Sequence, residues 1–297
     1  MATAIENIIT EWTNPKSWEH LFQHSAFNSN WKELIDPQNF KFQYGVTPFS
    51  QFHIIPTVLV IYLVSIFSIK YLMTNRKPFS LKYVTIIHNA ILCLWSLAMC
   101  VGIVYEYMKR ISSEGPLFTF CETSPGFNQG TSYYWSYIFY ISKFYELLDT
   151  VIIVLKKKPL IFLHVYHHCV VVWLCWFFLY SGWSLQLLVV FLNTFVHVFM
   201  YYFYFQCARG KTVWWKKYIT MIQIIQFVCL GIAGVLHIGA INTIGCQTDY
   251  LAFASAYSIN FSFLFLFSQF FVKSYSTKPG NTTGSNVKTP TKTRKVE

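Results

Sequence analysis

Charge is the scarce component of this sequence. Only 12% of its 297 residues are Asp, Glu, Lys or Arg, against 54% apolar side chains and 20% aromatics. Average soluble domains carry roughly a quarter of their residues charged, so a water-soluble globule is excluded and lipid must cover part of the surface. Acidic residues are scarcer still, with 12 Asp and Glu against 23 Lys and Arg. The opening fifty residues lack a basic start followed by an apolar run, so no cleavable signal peptide is expected. No internal repeat and no second globular domain is visible.

Long apolar runs are abundant. A hydrocarbon core of about 30 Å needs about 20 mainly apolar residues per helical crossing. Seven such segments can be drawn: Phe52 to Met73, Val84 to Met108, Thr131 to Leu155, Leu160 to Tyr180, Leu185 to Phe205, Tyr218 to Gly239 and Leu251 to Val272. The sequence therefore predicts an all-α membrane protein with seven transmembrane helices. Residues 1–51 read as a non-cytosolic surface segment and 52–273 as the membrane domain. Residues 274–297, rich in Thr, Lys, Gly and Pro, read as a disordered cytosolic tail.

The formal charge of +11 does not point to nucleic acid, because the cations sit between crossings. Arg76, Lys77 and Lys82 follow the first run, Lys156 to Lys158 the third, and Arg209, Lys211, Lys216 and Lys217 the fifth. The opposite loops offer Lys109 and Arg110, so the positive-inside rule places the basic loops and the C-terminus in the cytosol and the N-terminus outside. Cys121 and Cys246 fall in the non-cytosolic loops, where they are either bridged or free thiols. The final RKVE resembles a dilysine-type endoplasmic reticulum retrieval signal.

A charge at the bilayer centre costs about 2.5 to 3.5 kcal/mol on insertion scales, so intramembrane ionisable residues demand a partner or a function. The third run carries Lys143, Glu146 and Asp149, whose spacing predicts neighbours on successive turns. The fourth opens with His164, His167 and His168, which fall within about 100° of one helical face. The fifth supplies Asn193 and His197, then Met200, Tyr201 and Tyr204, and the sixth offers Thr220, Gln223 and Gln226. His53, His88 and His237 read as satisfied core residues. Asp149, His167, His197 and Gln223 lie roughly 8 to 13 Å from the nearest basic loop, which implies one cavity reached from the cytosol.

Three chemistries could use that cavity. Clustered histidines suit a metal-dependent lipid oxidase or a zinc site, although the iron enzymes need more ligands than lie at this depth. A seven-helix receptor or carrier could use the charges as a relay or ligand pocket. The third is nucleophilic catalysis, in which a neutral imidazole attacks an activated acyl group and the fragile acyl-imidazole is kept dry.

KFYELLDT (Lys143–Thr150), KKKPLIFLHVYHH (Lys156–His168), NTFVHVFMYYFY (Asn193–Tyr204) and TMIQIIQF (Thr220–Phe227), in this order and spacing, resemble the fatty acid elongases of the endoplasmic reticulum. The resemblance runs from about Pro48 to Val272, and the lysine-proline run is most similar to fungal and protist members. It implies six of seven helices in a ring around an acyl tunnel, with CoA at the cytosolic mouth. It also implies condensation of acyl-CoA with malonyl-CoA as in a very-long-chain 3-oxoacyl-CoA synthase. No bound cofactor is implied, and the other enzymes of the elongation cycle are the implied partners; a homo-oligomer is left open. By motif position His167 would attack the thioester, His197 would assist the malonyl half-reaction, and Asn193 and Tyr201 would orient the reacting oxygens. Lys143, Glu146 and Asp149 would support the box, His164 and His168 would position substrate, and Tyr204 and Gln223 would contact it. Elongases acting on polyunsaturated chains often carry glutamine where this sequence has Pro159, which favours saturated or monounsaturated chains.

Overall fold

The computed structural model describes residues 34–122, 129–246 and 248–275. Among these residues the chain forms eight α-helices and one isolated bridge, Lys41 to Gln129, with no extended strand. The helices are α1 (Ile54–Leu72), α2 (Lys82–Glu114), α3 (Thr131–Glu146), α4 (Leu148–Leu155), α5 (Phe162–Ser181), α6 (Gln186–Ala208), α7 (Lys216–Ile244) and α8 (Tyr250–Tyr275). A short 3₁₀ turn, Pro116–Thr119, follows α2. α1, α2, α5, α6, α7 and α8 are each long and apolar enough to cross a membrane, and the protein is a multi-pass membrane protein.

Where the sequence predicts one helix from Thr131 to Leu155, the structure has two, meeting at Leu147. The Leu147 amide donates to Phe144 and the Thr150 amide to Leu147. Both bonds span three residues, the 3₁₀ pattern that tightens a helix locally. Neither α3, at 16 residues, nor α4, at 8, has the length of a crossing by itself. α2 and α7 outrun their predicted bounds at both ends, reaching Glu114 and Ile244. Gly182 and Gly245 end α5 and α7 in the left-handed conformation, at φ 65° and 70°.

α2 packs along α6, α6 on α7, α7 on α8, α8 on α5, α5 on α3 and α3 on α2. α1 lies against α4 and α5. Glycine permits two of these approaches. A Cβ on Gly102 would stand 2.1 Å from the Trp135 indole, and one on Gly234 would stand 2.0 Å from the Tyr257 ring. Cys121 and Cys246 are joined by a disulfide that ties the turn after α2 to the end of α7.

Residues 1–33 and 276–297 lie outside the described residues, and so do most of the tail and its retrieval-like end. The described part of the leading segment is mostly exposed but is anchored at a few positions. Phe40, Thr47 and Ser50 are buried, and the backbone is pinned from both sides. Trp176 Nε1 donates to the Ser50 carbonyl at 2.6 Å, Tyr140 Oη to Phe49 at 2.8 Å and Tyr137 Oη to Pro48 at 3.2 Å. Aromatic hydroxyls and an indole N–H thus satisfy backbone carbonyls that lipid could not. At the other end, Lys157 Nζ donates to the carbonyls of Thr74 and Arg76, at 3.0 and 3.1 Å, so two of the basic loops meet.

Candidate active site

The last turn of α3 carries a buried ion pair. Lys143 and Glu146 are 2% and 1% exposed, and Nζ lies 2.8 Å from Glu146 Oε1, as their spacing predicts. Lys143 also donates to Asn193 Oδ1 at 3.2 Å and sits 4.0 Å over the Phe139 ring. Ser142 donates to Glu146 at 3.3 Å, and His197 Nδ1 stands 3.6 Å from the same carboxylate oxygen. Desolvating two charges is repaid only when the remaining lone pairs and protons find partners, and α6 supplies them here.

Asp149 lies beyond the break and faces other partners than Glu146. His88 Nε2 approaches its Oδ1 at 2.7 Å, and Tyr201 donates to Oδ2 at 2.9 Å. The next residue, Thr150, meets His164 Nε2 at 2.9 Å and the Tyr62 hydroxyl at 2.7 Å. His88 is satisfied, as the sequence suggested, but by a site carboxylate, so that α2, a helix outside every motif, reaches the site. His237 is satisfied too, by the Phe120 carbonyl and by Thr248 at 3.0 Å.

The three histidines of the box diverge. His164 turns to Thr150, and its ring is 4.4 Å from that of buried His168. The His167 ring stands 5.5 Å from His168 and 5.2 Å from Phe263, and His167 lines a cavity beside it. That cavity measures about 60 Å³ to the centre of a water-sized sphere. Its polar groups, His167, Asn193, Gln226 and Asn260, give way to Phe178, Trp183 and Tyr257. An apolar space with a few convergent polar groups is the usual form of a ligand site. His197 is not in its lining; it connects through Glu146, Lys143 and Asn193, the last of which is.

Not every residue singled out in the sequence gathers there. Tyr204 is 45% exposed and lies 6.3 Å from the Tyr201 ring. Gln223 Nε2 contacts Met200 Sδ at 3.6 Å, while Gln226, almost one turn on, reaches the cavity. Tyr257, Asn260 and Phe263 on α8 went unnoticed because no charge or motif marks them. Among the described residues, no three His, Cys, Asp or Glu side chains are grouped to hold a metal ion.

Residues 47–283 match the model of the GNS1/SUR4 (ELO) family. A Dictyostelium discoideum protein provisionally named a fatty acid elongase is 75% identical over 295 residues, covering 99% of this chain and 99% of its own length. A second so named is 64% identical over 294 residues, again 99% of both chains. Fatty acid elongase sre1 of the same organism is 39% identical over 261 residues, 87% of this chain and 94% of its own. The chain belongs to the fatty acid elongase (ELO) family. The family match takes in the whole cavity and both clusters around Glu146 and Asp149. It begins at residue 47, within the leading segment whose Ser50 and Phe49 carbonyls are held by Trp176 and Tyr140.

Proposed function

We propose that the protein condenses a long-chain acyl-CoA with malonyl-CoA, giving a 3-ketoacyl-CoA two carbons longer with release of carbon dioxide and CoA. The observation that carries this reading is His167, a histidine at the polar end of an otherwise apolar cavity. Its imidazole attacks the thioester carbonyl, CoA leaves as the thiolate, and the acyl group is held on nitrogen in a space from which walls such as Phe178 and Leu230 exclude water. Malonyl-CoA then loses carbon dioxide, its carbanion attacks the acyl carbonyl, and the imidazole departs. Asn193 faces the same space and orients a reacting oxygen; its own oxygen is fixed by Lys143, which leaves its amide N–H groups for substrate. His197, held at Glu146, assists the malonyl step, and His168, Tyr201 and Asp149 keep these groups in place. The reaction so written needs no metal and no bound cofactor.

The chain crosses the membrane seven times in this reading, with α3 and α4 together as one crossing and six helices ringed around the acyl tunnel. The circuit of contacts from α2 through α6, α7, α8, α5 and α3 supports the ring. The N-terminus is lumenal and the C-terminus cytosolic in the endoplasmic reticulum membrane, which the convergence of basic loops at Lys157 supports. CoA phosphates meet Lys156, whose ammonium is destabilised by burial and then by Lys158, so that an arriving anion is welcome there. Saturated or monounsaturated chains are the preferred substrates. Membranes containing the protein, given labelled malonyl-CoA and a panel of acyl-CoAs, should form 3-keto products. Absence of product where a known elongase makes it refutes the reading, and undiminished turnover by His167→Ala removes His167 as the nucleophile.

A further inference from the structure

We propose that Gln226 is a catalytic residue: its side-chain amide donates a hydrogen bond to the acyl carbonyl oxygen while His167 attacks, and holds that oxygen again when the acyl group leaves the imidazole. This inference rests on the elongase reading. Gln226 on α7 is 5% exposed and lines the same cavity as His167 and Asn193. Among the described residues its amide makes no hydrogen bond, yet its polar atoms are not sealed off as Asn260 Oδ1 is. Buried amides nearly always find a partner, so one left free with its atoms open to a cavity marks the place of a ligand atom.

Hydrogen bonds between helices set the level of Gln226. Tyr166 and Ser262 share one at 2.8 Å, and Asn260 donates to the Phe227 carbonyl at 3.0 Å. His167 follows Tyr166 and Gln226 precedes Phe227, and the two bonds leave α8 only two residues apart, about 3 Å along its axis. The Phe263 ring spans the same interval, 5.2 Å from the His167 ring and 5.6 Å from that of Phe227. On the other flank, Gln223 meets Met200 at 3.6 Å, and a count of three residues from that contact brings Gln226 level with His197 on the antiparallel α6. His167, His197 and Gln226 thus share one depth in the bundle.

Both half-reactions need a donor at that depth. Attack of the imidazole nitrogen on the thioester carbon moves the carbonyl pair onto oxygen, and the C–S bond breaks as CoA leaves as the thiolate. Attack by the carbanion that decarboxylation leaves raises the same oxyanion, and the C–N bond then breaks to return the imidazole. A donor fixed where such charge develops acts far more strongly than one in water. Most amide, hydroxyl and indole groups on the wall are already committed. Asn260 Nδ2 is held by Phe227, the Tyr257 hydroxyl donates to the Leu230 carbonyl at 3.0 Å, and the Trp183 indole nitrogen is sealed. Asn193 keeps its N–H groups, because its oxygen accepts from Lys143. Gln226 and Asn193, on the adjacent helices α7 and α6, are the two amides left for the oxygen.

The test uses the full-length protein with acyl-CoA and malonyl-CoA. Gln226→Met keeps the side chain's volume and removes its donor, and Gln226→Leu removes the donor in another shape. In both, kcat should fall about a hundredfold or more, with KM changed by less than about threefold, the pattern of an interaction made in the transition state. Infrared spectroscopy reads the bond itself without turnover. In the His167→Ala protein, the isotope-labelled carbonyl of a bound acyl-CoA should absorb at lower frequency than the same thioester in an apolar solvent, and adding Gln226→Met should raise it. A band at the apolar-solvent position overturns the inference, and so does a band that the Gln226 variants leave in place. Undiminished kcat in either variant overturns it too, and a fall in kcat without a shift of the band assigns Gln226 to packing instead. Failure of the elongase reading is separately visible, as wild-type protein that forms no 3-keto product from any chain.

Discussion

His88 on α2 and Asp149 on α4, 61 residues apart in sequence, meet at 2.7 Å, and the second carboxylate oxygen accepts from Tyr201 on α6. One acid thereby holds two helices besides its own. His88→Leu removes one of these two partners from a largely buried carboxylate. Stability in detergent should fall by about 2 kcal/mol, the usual effect of losing a hydrogen bond to a charged group. Chemical denaturation followed by tryptophan fluorescence reads it, and a loss under half that size would mean that Asp149 finds water instead.

Lys143 and Glu146 behave as a unit because both are almost wholly buried. Lys143→Met and Glu146→Leu should each destabilise by about 3 to 5 kcal/mol, since each strands a buried charge. The double variant should lose less stability than the sum of the two. Additive losses in a double-mutant cycle would show that the two charges do not interact.

Gly234→Ala places a Cβ where the Tyr257 ring stands. Tyr257 must move, giving up its hydrogen bond to the Leu230 carbonyl at 3.0 Å and entering the cavity it lines. Overpacking of this kind costs about 1 to 3 kcal/mol. The longest product chain should also shorten, read by chromatography of the acyl products; an unchanged distribution would mean that the ring yields toward lipid.

Cys121→Ser or Cys246→Ser opens a link between residues 125 apart. Stability should fall by about 2 to 4 kcal/mol. Reductant should reproduce the loss in wild type and leave either variant unaffected, and equal sensitivity of variant and wild type would count against the bridge.

Much of the site was legible in the sequence because charge in an apolar run is conspicuous. Lys143 with Glu146 followed from spacing, and the basic loops showed which ends lie together. The break at Leu147 was not legible, since no proline or glycine marks it and its residues suit a continuous helix. His88 was recognised as a satisfied residue, yet its partner lies on another helix and no local pattern could name it. The cavity wall on α8 escaped notice because Tyr257 and Phe263 resemble any other lipid-span aromatics. The anchoring of the leading segment was not legible, because the aromatic donors to its carbonyls lie more than eighty residues away.

The break at Leu147 also sets a pitch. Polar groups recur every three residues on α3 and α4, at Lys143, Glu146 and Asp149, and every four on α6, at Asn193, His197 and Tyr201. Three residues of α-helix advance about 4.5 Å and four advance about 6 Å, so two straight helices would drift out of step. A 3₁₀ turn rises about 2 Å per residue, which stretches the shorter step toward the longer one where Glu146 gives way to Asp149. The tightened turn works as a vernier: it lets Asn193, His197 and Tyr201 each find an opposite number, so its straightening would misalign the rungs without altering a single polar side chain.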